Sequence, residues 1–358
     1  MFHHELWGGT VAEILGLGLT HYPPLAGIDE HMADILRWTL QDPAVPANLR
    51  VPAGWPEAMR VEWGDDEGLE ASRRHRQDLV GGLRRCRAAL DAFQPDVVVV
   101  WGDDQYENFT EEVIPAFCVL AYDDVEVHPF AGRTQPNAWG EPPDSTVKVL
   151  GRRDIGRHLA TSLLAEGFDV AYAYQPGQGK PFPHAFLNTQ LFLDYDREGF
   201  PYPMLPISVN CYGRHVIARR GGMVRFADMV AAEQADPPSP SPRRCFELGS
   251  AVARVCAASP WRVALVASSS WSHAFLNDKA WHLYPDIGSD RRFYEALVAG
   301  DSDVWREANL SDVEADGQHE MLNWFCLVGA MAELGRSLQW SSFTSTHVLN
   351  SNKCFAIF

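Results

Sequence analysis

The sequence predicts an α/β fold: a single large domain over residues 1–358, with a central mostly parallel or mixed sheet flanked by helices. Two observations carry that expectation. Short apolar runs recur along the chain, and segments of helical period separate them. Strands alternating with helices build sheets covered on both faces, so their strands read as continuous apolar runs. A third observation locates the chemistry. In VVVVWGDDQYENF, residues 97–109, four valines run straight into two aspartates, a glutamine and a glutamate. Ligand sites in such sheets gather beyond the carboxyl ends of the strands.

Taken in order, strands are expected at Ile14–Leu19, Val97–Trp101, Phe117–Tyr122, Val170–Tyr174, Met204–Val209 and Val263–Ala267. Between them, Glu70–Phe93 sets Leu79, Leu83 and Leu90 on one helical face, with arginines on the other. Asp154–Glu166 and Cys245–Ala257 are also amphipathic, and Asp316–Leu338 reads as a long, strongly apolar helix. Three Pro/Gly-rich stretches, near 42–66, 130–145 and 236–242 (the last DPPSPSP), read as insertions or loops within the one domain.

The bulk numbers exclude some classes of function. A net charge of −17, from 30 Lys+Arg against 47 Asp+Glu, argues against nucleic acid or an anionic membrane surface as the main partner. Hydrophobic residues make up 46% of the chain, enough for a large core, yet no uncharged apolar run approaches the length of a membrane span. Seven cysteines, at 86, 118, 211, 245, 256, 326 and 354, include no CxxC pair, which points to reduced thiols. The N-terminus MFHHELWGG lacks the basic and apolar regions of a signal peptide. A cytoplasmic protein is expected.

Four local patterns carry chemistry. Gly16 and Gly18 after the first strand suggest a dinucleotide-binding turn, but the third glycine is missing and Pro23-Pro24 blocks the helix that would receive a pyrophosphate. What stands there is His21, at a strand's carboxyl end and stiffened by two prolines, either a structural histidine or a ligand. In GDDQ, Asp103 and Asp104 can bind a hard divalent ion or cap the amides that follow, and both readings stay open. ASSSWSHAF lacks a GxSxG elbow, so His273 reads as an acid/base or ligand histidine, or as a loop histidine bonded to backbone. HEMLN fails the HExxH zinc pattern because position 323 is asparagine. Glu320, opening an apolar helix, must still be solvated, capping or bound to a cation. His184, in PFPHAFLNTQ, sits in a Pro-rich loop and could line a pocket, whereas His3, His4, His31, His75 and His282 have no local context.

The order of these motifs is more specific than any one of them. LTHYPPLAG, GDDQ, His184, RRCFELGSAV, SSSWSHAF and HEMLNWFCLVGAM follow one another as in the class III extradiol dioxygenases. From about residue 14 to the C-terminus the chain resembles the catalytic subunit of protocatechuate 4,5-dioxygenase and its gallate and 3-O-methylgallate relatives. The resemblance implies a non-haem Fe(II) site, with Mn(II) as the alternative, that opens a catechol-type ring with O2. It carries the first histidine ligand onto His21, the glutamate onto Glu320 and the catalytic acid/base onto His273; His184 would help position substrate or O2.

The family's second histidine ligand falls, by strand position, on Gln105, where this sequence departs from the usual pattern. Gln105 is the first expectation for that ligand and Asp104 the next, with Asp103 a further alternative. Expected partners are a small aromatic substrate and O2, with a homodimer as the assembly and a small separate helical subunit left open. For a ring carboxylate, Arg219, Arg220, Arg243 and Arg244 are the cations considered, and SSFTSTHVLNSNKCF could supply hydroxyl and amide contacts. Two rival readings remain: a metal-dependent hydrolase on the same scaffold, and a non-catalytic binding or partner subunit with a drifted site.

Overall fold

Among the described residues, ten strands form in the order β1 (Ile14–Leu19), β2 (Val97–Asp103), β3 (Phe117–Leu120), β4 (Val125–Val127), β5 (Val147–Val149), β6 (Ala171–Ala173), β7 (Met204–Val209), β8 (Val263–Ser268), β9 (Trp340–Thr344) and β10 (Lys353–Ile357). The structure, a computed structural model, describes residues 12–220, 222–229 and 235–358. The N-terminal MFHHELWGG, with His3 and His4, lies outside them.

Eight strands make one mixed sheet in the order β6-β3-β7-β2-β8-β1-β10-β9, and β4 and β5 form a separate antiparallel pair. At its centre β7, β2, β8 and β1 run parallel. The sheet becomes antiparallel at β3 against β7 and at β10 against β1. The sheet is therefore α/β and mixed, as the sequence predicts. All carboxyl ends of the central four strands open on one edge, and the chemistry gathers there.

The valine run explains the two cores. Successive side chains of a strand point to opposite faces. Val97, Val99 and Trp101 enter a core shared with Leu248 and Val252 of helix Pro242–Ala257 and with Trp324 and Leu327 of helix Leu322–Glu333. Val98 and Val100 enter a core shared with Leu79, Leu83 and Leu90 of helix Leu69–Phe93 and with Phe186 of helix His184–Leu193. Every residue of β2 is buried.

Close backbone approach explains several glycines. An added Cβ at Gly18 would stand 2.1 Å from Trp324, and one at Gly16 would stand 2.3 Å from Met331. The GxG pair thus seats a helix on β1 rather than cradling a phosphate. Helices Pro242–Ala257 and Leu322–Glu333 meet the same way, with Gly249 against the Cys326 carbonyl and Gly329 against the Phe246 carbonyl.

Three expectations change in detail. The long helix expected over 316–338 is a 3-10 turn, His319–Met321, followed by the shorter helix Leu322–Glu333; Gly317 and Gly335, both at positive φ, bracket the two. His184 opens a helix rather than sitting in a loop. The stretch near 42–66 forms the helix Glu57–Trp63 and buries Trp55, Met59 and Trp63. No helix among the described residues is long and apolar enough to cross a membrane.

Candidate metal centre

His21 stands two residues past the end of β1, and Pro23-Pro24 opens a 3-10 turn that fixes the chain's exit. Its Nδ1 lies 2.8 Å from the Ser268 carbonyl at the end of β8, so Nδ1 carries the hydrogen and the lone pair of Nε2 faces inward. Thr20 Oγ1 meets Ser270 Oγ at 2.8 Å and ties the ends of the same two strands. Burial, then the nearby His184, hold the His21 imidazole well below its ordinary pKa. A neutral ring with a free Nε2 is the form that binds a metal.

Two carboxylates converge on that nitrogen. Asp103, the last residue of β2, brings Oδ1 to 3.7 Å from His21 Nε2, and Glu320 brings Oε2 to the same distance. Asp103 is 0% exposed and Glu320 and His21 are each 1% exposed. One donor atom from each residue lies within 4.8 Å of the other two, and among the described residues this is the one such cluster of three. Asp103 Oδ2 is buried with no hydrogen-bond partner, and Oδ1 receives only a long bond, 3.5 Å, from Asn323. An orphaned carboxylate oxygen beside a second buried carboxylate fits a cation. Burial and the neighbouring Asp103 charge push Glu320 well above the ordinary carboxylate range, and burial raises Asp103 to about 6.

Gln105 and Asp104, the sequence's first expectations for the third ligand, stand beside this trio rather than in it. Gln105 Nε2 donates to Glu320 Oε1 at 2.8 Å and to the Tyr212 hydroxyl at 2.9 Å. Tyr212 in turn donates to Glu320 Oε1 at 2.9 Å. Asp104 accepts bonds from the amides of Glu107, Asn108 and Phe109, which is the capping role.

His273 Nε2 lies 3.5 Å from Glu320 Oε2. Burial, then the Lys353 charge, push it down to about 3, so its ring is neutral near neutral pH. His184 packs edge-on against His21 with ring centroids 5.2 Å apart, and its Nδ1 lies 3.0 Å from Glu107 Oε2. A cavity of about 420 Å³ opens onto His21, Gln105, His273 and Glu320, and His31, Arg133 and Asn350 also line it.

The sequence reading passed over Tyr212 and Glu107. Tyr212 had a signal, since it follows the apolar run of β7 at the same sheet edge. Glu107 sits inside the quoted acidic stretch, but nothing local pairs it with His184. Buried Asp290 was missed too; it gathers Ser272, Gln318 and Asn352 and so knits the His273 loop to the Glu320 turn. None of Arg219, Arg220, Arg243 and Arg244 lines the cavity. Arg219 bonds the Phe275 carbonyl and Asp278, and Arg243 bonds Glu247.

The chain is 27% identical over 192 residues to a 2,3-dihydroxyphenylpropionate/2,3-dihydroxicinnamic acid 1,2-dioxygenase of Pseudomonas putida, covering 53% of this chain and 48% of the relative. A protein of the same description from Burkholderia vietnamiensis is 28% identical over 220 residues, 61% of this chain and 53% of the relative. Gallate dioxygenase of Pseudomonas putida is 25% identical over 198 residues, 54% and 49% of the two chains. The chain spans about half the length of the curated relatives it matches. The family described as the catalytic LigB subunit of aromatic ring-opening dioxygenase matches residues 66–356, which is most of the chain and includes Asp103, His184, His273 and Glu320. The chain belongs to that family.

Proposed function

We propose that this chain is a non-haem Fe(II)-dependent extradiol dioxygenase that opens a catechol-type ring with O2, with His21, Asp103 and Glu320 as the metal ligands. One observation carries the proposal: in a family of ring-opening dioxygenases, one imidazole and two carboxylates converge, buried, at the carboxyl ends of parallel strands. Keeping two carboxylates together out of water is costly unless a cation joins them. Carboxylate and imidazole donors without a thiolate suit Fe(II) and Mn(II). The relatives are named for gallate and for dihydroxyphenylpropionate, and a catechol acid of that class is the proposed substrate.

Fe(II), held by His21, Asp103 and Glu320, would supply the redox link between catechol and O2. The chain's own residues do the rest. His273 takes a proton from a substrate hydroxyl at Nε2 and later returns it to oxygen. Gln105 and Tyr212 hold Glu320 by hydrogen bonds to Oε1, which leaves Oε2 turned toward His21. His184, kept protonated by Glu107, offers a positive charge beside the trio to position substrate or O2.

The test is anaerobic loading with Fe(II), then addition of O2 and a panel of catechols. The proposal expects oxygen uptake and a yellow ring-opened product. No uptake across catechols, gallates and aminophenols contradicts it, and turnover without O2 using Zn(II) favours the hydrolase reading. A cytoplasmic homodimer completes the proposal, and sedimentation that returns only monomer removes that part.

A further inference from the structure

The cavity that opens on the trio is lined by His21, Gln105, His273 and Glu320, and Arg133 lines it as well. Among the described residues that line it, Arg133 is the one arginine or lysine. The stretch 130–145, which reads from the sequence as a Pro/Gly-rich insertion, delivers this side chain. It is stitched to the turn after His21 by a bond from the Ala138 amide to the Ala26 carbonyl, 2.9 Å, and by a bridge between Gly27 and Asn137. The guanidinium lies along Gly27, where an added Cβ would stand 3.5 Å from Nη2. The charge is therefore held on the same turn that positions His21.

Among the described residues, no carboxylate neutralises Arg133. Its side-chain contact is one long bond, 3.4 Å, from Nη1 to the Ala26 carbonyl, and it forms no ion pair among the described residues. It is half-buried, and burial lowers its pKa with no carboxylate to oppose that. The outer carboxylate of the cavity, Asp34, is already engaged by Arg37 and by His31, each at 2.8 Å. The four arginines considered from the sequence are bound to other groups or stand away from the cavity. A half-desolvated guanidinium with its fork of N–H donors unspent is a receptor for a planar anion.

We infer that Arg133 selects the substrate of this cavity by receiving a carboxylate carried on the catechol ring, whose hydroxyls meet the trio. This rests on the ring-opening reading above. The size agrees, since about 420 Å³ exceeds a bare catechol and leaves room for a substituent. The carboxylate forms a bidentate pair with Arg133, and the chain's net charge of −17 is compensated locally at one point.

The experiment is calorimetric binding under anaerobic conditions to the Fe(II)-loaded protein. The probes are 3,4-dihydroxybenzoate and 3-(3,4-dihydroxyphenyl)propionate, each paired with its neutral amide. At least one acid should bind about ten-fold or more tightly than its amide. Arg133→Gln should abolish that preference and leave amide affinity unchanged, while Arg133→Lys restores part of it. In turnover the same variant should raise KM for the acid and spare kcat. An equal loss for acid and amide, a preference that survives Arg133→Gln, or a wild type that binds acids no better than amides overturns the inference. Because binding is read without O2, absence of turnover counts against the proposed function alone.

Discussion

Asp103 Oδ1 and His21 Nε2 stand 3.7 Å apart, each at the carboxyl end of its own parallel strand and each shut off from solvent. Strands β2 and β1 are not neighbours; β8 lies between them. The pair therefore exists only because the sheet is assembled, and the Glu320 turn closes over it from the helix on one face.

If Asp103 is a ligand, Asp103→Asn should lower metal affinity beyond the roughly 10–100-fold typical of groups that merely support ligands. The same change removes a charge that repels Glu320, so the metal-free variant should melt at a higher temperature than metal-free wild type. Metal analysis and thermal melts with chelator check both. Normal metal content in the variant contradicts the assignment.

Gln105→Ala separates the two ligand readings. With Asp103 as the third ligand, the variant retains metal, about ten-fold more weakly, because Glu320 has lost a bond that oriented it. If Gln105 itself ligates, the metal is lost outright. Equilibrium dialysis distinguishes the two.

Metal binding should also depend on pH in a defined sense. Asp103 is raised to about 6, chiefly by burial, and only its ionised form binds a cation. Affinity should fall as pH drops through about 6. Asp103→Asn should remove the part that Asp103 carries and leave the part carried by Glu320.

His184 gives a stability signature in the metal-free protein. Burial pulls its pKa down, but the Glu107 charge and hydrogen bond, with Asp103 and Glu320, outweigh that and raise it from 6.5 to about 9. The folded state thus holds this proton more tightly than the unfolded chain. Its contribution is fully present below pH 6.5 and is lost as pH rises through about 9. Melting temperature should fall more steeply across that window in wild type than in Glu107→Gln; equal slopes contradict the pairing.

His273→Ala should keep its metal and lose about 10²–10⁴ in kcat, the range for a general acid/base. Loss of metal instead would make His273 a ligand.

How much of this was legible in the sequence varies by residue. The central strands were, because runs such as VVVV and VALVAS are buried on both faces and carry their own signal. Strands β9 and β10 were not, since WSSFT is half polar and short and its pairing with KCFAI is settled by tertiary contact. His21, His273 and Glu320 were singled out from position and motif order, and the structure gathers them. The choice among Asp103, Asp104 and Gln105 was open, because adjacent residues past a strand end point in directions that local sequence does not determine. In the structure Asp103 faces His21, Asp104 turns onto the amides of residues 107–109, and Gln105 bonds Glu320. Arg133 was invisible for a related reason: only the folded stretch 130–145 brings it to the turn after His21.

The most direct measurement of the central claim is a single turnover of the Fe(II)-loaded protein with a catechol acid under isotopically labelled O2, read by mass spectrometry of the product. The account predicts a ring-opened product that carries both labelled oxygen atoms. A product with no label from O2, or oxygen drawn only from water, would contradict it.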